Sequence, residues 1–80
     1  MNDQNIDESL QLNDKAELLW EYGHYLDSIN DLGFKINLYS LGHKFVEVFY
    51  KISSNDIEKI VVADDRDLEK YLSKIVSDVF

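Results

Sequence analysis

Small and apolar residues recur every three or four positions in the first part of the chain, the spacing that places side chains on one face of a helix. They are Ala16, Leu19, Trp20, Gly23, Leu26 and Ile29. Asp14 and Glu17 have the spacing of a capping box, and Gly33 is suited to the left-handed conformation that ends many helices. The pattern predicts a first helix from residue 14 to residue 31, with Trp20 in its buried stripe.

From Phe34 the apolar residues alternate with other residues, which is typical of strands with one buried face. Gly42 marks a turn and the polar stretch 53–56 marks another, so three strands are predicted. The inward-facing residues of the first two are Phe34, Ile36, Leu38, Val46, Val48 and Tyr50. These two sets share a face only if the connecting loop has an odd number of residues, roughly three or five. The third strand, 57–63, has apolar residues in both alternating sets, so its inward set stays open.

Helical spacing returns near the end of the chain, at Leu68, Leu72, Ile75 and Val79. The stretch Asp64-Asp65-Arg66-Asp67 precedes them, and an aspartate there can cap the free helix amides, so we predict a second helix from residue 65 to residue 78. Because amphipathic helices bury their apolar stripes on a sheet, we predict an α+β fold of order α-β-β-β-α. In this fold a three-stranded antiparallel meander has both helices packed on one face. Residues 13–80 are expected to form a single domain after a polar, flexible leader of residues 1–12.

Composition and charge indicate in which cellular compartment the protein works and which classes of partner it is unsuited to bind. The chain has 80 residues, no cysteine and a formal net charge of −8. The lack of cysteine excludes disulfides and thiolate zinc sites, and favours a reducing, cytoplasmic setting. The sequence has no apolar run long enough to span a bilayer, and its negative charge repels phosphate backbones and anionic membranes. We therefore expect a cytoplasmic protein that binds no nucleic acid and no membrane.

The predicted order of elements resembles that of the double-stranded RNA-binding domain. That family places a lysine-rich motif at the start of its second helix, where it grips phosphates. The corresponding stretch here reads Asp64-Asp65-Arg66-Asp67-Leu68-Glu69-Lys70. Four acids against two bases repel phosphate, so RNA binding is not expected to accompany the resemblance.

Catalytic chemistry has little support in the sequence. The two histidines, His24 and His43, stand outside any recognisable catalytic motif, and the three glycines are isolated rather than grouped in a phosphate-binding loop. The acids at 64–69 lack the glycine turn and distal glutamate of a calcium loop, which favours a helix cap over a metal site. We therefore expect no enzyme, no catalytic residue, no metal site and no cofactor.

The sheet face away from the helices is the predicted binding surface. Its candidate residues are Lys35, Tyr39, Phe45, Phe49 and Lys51. No predicted element covers its aromatic residues, and aromatic side chains commonly lie at the centre of protein interfaces. The leading hypothesis is a small non-enzymatic protein-interaction module that binds a partner protein, or a second copy as a homodimer, through this face. There are two alternatives. In one, the leader folds over this face; in the other, the two faces of the sheet are exchanged.

An acidic surface on the first helix supports a second hypothesis. Residues 1–31 contain eight acidic residues and one basic residue. The candidate residues of this surface are Asp14, Glu17, Glu21 and Asp27. Such a surface fits an inhibitor or immunity-type protein that binds a basic partner such as a nuclease, because long-range attraction speeds association. A contiguous acidic surface on the helix favours this hypothesis, whereas a continuous apolar patch on the sheet favours the module.

Overall fold

The computed structural model describes the backbone of residues 10–79 and the side chains of residues 10–72. Its elements are α1 (Leu12–Tyr22), β1 (His24–Asp31), β2 (Phe34–Leu41), β3 (Lys44–Lys51), β4 (Ile57–Ala63) and α2 (Asp65–Val79). The strands form one antiparallel sheet in the order β1-β2-β3-β4. The predicted α+β class and antiparallel meander are confirmed, but the prediction of three strands was wrong, because the sheet has four. Most of the predicted leader lies outside the described residues.

The additional strand, β1, occupies the second half of the predicted first helix. α1 ends at Tyr22, and the backbone amide of Gly23 donates a hydrogen bond to the Leu19 carbonyl oxygen at 2.8 Å. A Cβ at position 23 would lie 2.7 Å from that oxygen, so glycine permits this close approach. The chain then pairs with β2, and a bulge at Leu26 interrupts the pairing. Pairing in the sheet therefore overrides the helical spacing of residues 24–31.

Both hairpins that flank β2 have two-residue loops. Leu32 has a φ of 49° and Gly33 a φ of 86°, and Gly42 has a φ of 60° in the second loop. Turns with positive φ match the twist of the flanking strands. Across the second loop, Leu38 lies opposite Glu47. The predicted odd-numbered loop and its register were therefore wrong, and β3 presents the opposite set of side chains to each face of the sheet.

The two helices lie on opposite faces of the sheet. Leu19 of α1 belongs to a buried cluster with Leu41, Val46, Val48 and Ile60. On α2, the Tyr71 hydroxyl donates a hydrogen bond to the Glu47 carboxylate at 2.8 Å. Since successive side chains of a strand point to opposite faces, the valines define an α1 face and Glu47 an α2 face. The prediction that both helices pack on one face was therefore wrong.

β4 has apolar residues in both of its alternating sets of side chains, which fits a sheet that is covered by one helix on each face. Ile60 and Val62 pair with Val48 and Val46, so they belong to the α1 face. Val61 and Ala63 pair with Glu47 and Phe45 and belong to the α2 face. Apolar residues of both sets are therefore covered by a helix, and a register shift beside Tyr50 places Ile57 on the α1 face with Ile60 and Val62. Among the described residues, no helix combines the length and apolar character needed to cross a membrane.

Acidic residues cap the start of α2, as the sequence predicted. The backbone amide of Asp67 donates to the Asp64 carboxylate at 2.9 Å, and the backbone amide of Asp64 donates to the Asp67 carboxylate at 3.0 Å. These are the reciprocal bonds of a capping box, with aspartate in the place of glutamate. The hydrogen bond from the Asp67 amide lowers the pKa of the Asp64 carboxyl. α1, in contrast, begins at Leu12 and not at the predicted Asp14.

Replacing Leu32 by asparagine is expected to stabilise the protein. Leu32 is 90% exposed and holds a positive φ, so its side chain gains little packing while its backbone is strained. Asparagine before glycine is the preferred pair in this type of two-residue turn. We expect Leu32→Asn to raise the free energy of unfolding by about 0.5–1 kcal/mol in urea titrations. Leu32→Val, a β-branched control, should lower it; a gain with valine instead would contradict the turn geometry.

Candidate functional site

The five residues predicted to share one sheet face are divided between both faces. Tyr39 lies opposite Val46, so Tyr39 and Lys35 belong to the α1 face. Phe45 lies opposite Ser40 and alternates with Val46, so Phe45, Phe49 and Lys51 belong to the α2 face. The predicted single aromatic surface does not form, because its geometry depended on the incorrect hairpin loop.

Two of the three candidate residues on the α2 face, Phe49 and Lys51, contact residues of their own sheet. The ring centroids of Phe49 and Phe34 are 5.8 Å apart in an edge-to-face arrangement, and the Lys59 ammonium lies 4.4 Å from the Phe49 ring centroid. Lys51 forms an exposed ion pair with Glu58, with 3.2 Å between nitrogen and oxygen. Phe49 and Lys51 therefore interact within the fold while Phe45 is exposed, so this face offers a less continuous binding surface than the sequence predicted.

Glu47 of β3 is a buried charge on the α2 face of the sheet. Its side chain is 1% exposed, and one carboxylate oxygen accepts the Tyr71 hydrogen bond and lies 2.9 Å from the Lys70 ammonium. Burial raises the pKa of Tyr71, and its hydrogen bond to Glu47 raises it further. All three groups link β3 to α2, so we interpret them as the attachment of the helix to the sheet.

Three of the four predicted acidic residues share the outer side of α1. Asp14, Glu17 and Glu21 are exposed, and their spacing places them on one helical face that points away from the sheet. We call these three residues the acidic ridge. Asp27 lies apart from it, because it pairs with Leu38 on the α2 face and its carboxylate accepts the Ser28 backbone amide at 2.8 Å.

A row of aromatic rings extends from α1 across the sheet. The ring centroid of Trp20 lies 5.7 Å from that of Tyr39, which lies 5.8 Å from that of Tyr25. Burial raises the pKa of Tyr50, and its interaction with Tyr39 raises it further. Trp20 is 51% exposed and Tyr25 is 56% exposed. We call Trp20, Tyr39 and Tyr25 the aromatic row.

The exposure of Trp20 corrects the prediction that it lies in the buried stripe. α1 buries Leu19 and Lys15, and the Lys15 ammonium donates to the Ile60 carbonyl oxygen at 3.2 Å. These residues fix the side of the helix that faces the sheet. Trp20 follows Leu19 by one position, which is about 100° around the helix, so it lies on the flank.

Shallow depressions lie on both sides of the acidic ridge. Glu17, Trp20 and Glu21 line one of about 600 Å³. The other, of about 330 Å³, is lined by Leu10, Asp14, Glu17, Leu18, Glu21 and Tyr22. Carboxylates are thus placed beside exposed aromatic and partly buried aliphatic side chains, an arrangement that can pair with cationic groups and bury apolar ones at the same time.

The described residues provide no second cluster with evident chemistry. His24 and His43 are exposed at the start of β1 and in the loop before β3. In the part of the chain that the structure describes, no group of three histidine, aspartate or glutamate side chains is arranged to hold a metal ion. The surface of α1 is therefore the candidate site that geometry favours.

Comparison with protein-family models, with curated proteins and with solved structures finds no match for this chain. The function proposed below therefore rests on the geometry and charge of the described residues.

Proposed function

We propose that the protein is a small, non-enzymatic protein-interaction module whose partner is a basic protein. The binding surface in this proposal is the outer side of α1 together with the aromatic row. The main support for this proposal is the position of the exposed Trp20 between the acidic ridge and Tyr39. Exposed aromatic side chains supply the buried centre of an interface, and the surrounding carboxylates select a partner of opposite charge.

Charge argues for a different protein as partner rather than a second copy. A symmetric dimer built on this surface would bring the acidic ridges of both copies together, because the same patch contributes from each side. Opposed carboxylates would repel, and each copy carries a net charge of −8. A basic partner avoids this repulsion. We therefore favour a heteromeric complex over the homodimer that the sequence analysis allowed.

An inhibitor or immunity-type role is the narrower form of this proposal. Asp14, Glu17 and Glu21 present a line of carboxylates, which a basic nuclease could bind in place of phosphates. Long-range attraction would also speed association, as fast inhibition requires. The contiguous acidic surface on α1 is the observation that favours this role over a general adaptor.

Charge reversal on the acidic ridge tests the proposed function. The tagged protein would capture partners from the cell that produces it, alongside the variant Glu17→Lys with Glu21→Lys. The control variant is Asp31→Lys with Glu69→Lys, which makes the same charge change at exposed residues on the α2 side of the sheet. We expect a basic protein to be captured by the wild type and the control, and at least about tenfold less by the ridge variant.

Two results of this capture would contradict the proposal. One is an acidic principal partner. The other is a basic partner that is lost equally from both variants, since that result would reflect net charge and not the surface of α1. Circular dichroism of each variant would establish that the fold is retained.

A further inference from the structure

The depression beside Trp20 has the composition of a site for a cation with a flat apolar surface. Its lining residues are Glu17, Trp20 and Glu21, so one aromatic side chain lies beside a pair of carboxylates. Trp20 is 51% exposed, and its contact with Tyr39 leaves the rest of the ring open to this depression. An indole ring attracts cations more strongly than any other aromatic side chain, and adjacent carboxylates add direct pairing.

We propose that this depression binds the guanidinium group of one arginine side chain on the basic partner. The guanidinium would stack on Trp20 and donate hydrogen bonds to Glu17 and Glu21. This inference rests on the proposed function and names the chemical group that its site recognises.

The geometry favours arginine over lysine. Glu17 and Glu21 are four residues apart on α1, so their carboxylates are neighbours on the helix surface. A planar guanidinium presents several donors at fixed angles and can reach both carboxylates while its flat face covers the ring. A lysine ammonium is compact and strongly hydrated, so it loses more hydration and covers less of the ring.

The aromatic row also holds Trp20 in place before any partner arrives. Tyr39 contacts Trp20, and Tyr25 contacts Tyr39 with their ring planes at 73°. A ring that is already oriented loses less conformational freedom on binding, which favours affinity. The row therefore supports Trp20 as an anchor.

Titration with N-acetyl-arginine amide tests the site without the natural partner. Amide and indole NMR shifts of the full chain would be measured during the titration. A parallel titration with N-acetyl-citrulline amide, which has a similar shape and no charge, provides the comparison. We expect saturable shifts at Trp20 and Glu21 with arginine, at a dissociation constant on the order of millimolar, and about tenfold weaker binding of citrulline. N-acetyl-lysine amide should bind more weakly than arginine.

Variants separate stacking from simple charge attraction. Trp20→Leu should weaken arginine binding by about fivefold or more, and Glu17→Gln with Glu21→Gln by about tenfold. The control Tyr22→Leu removes an exposed aromatic from the other side of the acidic ridge and should leave binding unchanged. Equal affinity for arginine and citrulline, or unchanged binding in Trp20→Leu, would overturn the arginine site.

Failure of this inference can be distinguished from failure of the proposed function. Capture of a basic partner can depend on Glu17 and Glu21 while the arginine and citrulline amides bind equally well. In that case the arginine site is wrong and the proposed function stands. If arginine binds as expected but the principal captured partner is acidic, the proposed function is wrong and the site remains as a binding site for a cation.

Discussion

Leu19→Ala is expected to lower the free energy of unfolding by about 3–4 kcal/mol, the result of opening a cavity where α1 meets the sheet. Leu19 is 1% exposed and packs with Val46, Val48 and Ile60. Trp20→Ala should cost only about 1 kcal/mol, because half of the ring is exposed and its main loss is the contact with Tyr39. Urea unfolding followed by far-ultraviolet circular dichroism would measure both.

The contrast between these neighbouring residues is the informative result. Leu72→Ala is a control on α2, since Leu72 is exposed, and it should change the free energy of unfolding by less than about 1 kcal/mol. A cost for Trp20→Ala as large as that for Leu19→Ala would show that the buried side of α1 is assigned incorrectly. The exposed aromatic row would then lose its basis.

Glu47→Ala is expected to lower the free energy of unfolding by about 3–5 kcal/mol. The substitution leaves the Tyr71 hydroxyl without its acceptor and removes the carboxylate that pairs with Lys70, and it opens space beneath α2. Glu47→Gln should cost less, about 1–2 kcal/mol, because an amide oxygen can still accept the Tyr71 hydrogen bond. Thermal and urea unfolding would rank the variants.

The exposed ion pair between Lys51 and Glu58 supplies the matched control. Glu58→Ala removes a carboxylate from the same sheet at a site open to water, so its cost should be below about 1 kcal/mol. Amide hydrogen exchange should also show α2 less protected in Glu47→Ala than in Glu58→Ala. Equal stabilities of the two alanine variants would mean that Glu47 does not attach α2 to the sheet.

Local chemistry was sufficient to predict some elements of the fold. The cap at Asp64 and the helix that follows depend on residues within one turn, and β2 and β3 show the alternation of strands. β1 was not predictable in this way, because residues 24–31 have helical spacing and become a strand only by pairing with β2. The register depended on one loop, and a loop one residue shorter than the smallest one predicted exchanged the faces of β3.

The candidate site was predicted in part for similar reasons. Asp14, Glu17 and Glu21 follow from the concentration of acids in the first third of the chain. The exposure of Trp20 could not be predicted from spacing, because Leu19 beside it fits the same stripe and only tertiary packing selects between them. Glu47 was missed because a charged residue in a strand normally faces water, and its burial requires α2 on the opposite side from α1.

One measurement tests most directly whether the surface of α1 is the binding surface. The captured basic partner is added to the isotope-labelled protein, and the changes in the NMR shifts of each residue are mapped. We expect the largest shift changes at Glu17, Trp20 and Glu21, with smaller changes that extend to Tyr25. Changes concentrated at Phe45 and Phe49, with α1 unaffected, would contradict this expectation and place binding on the α2 face.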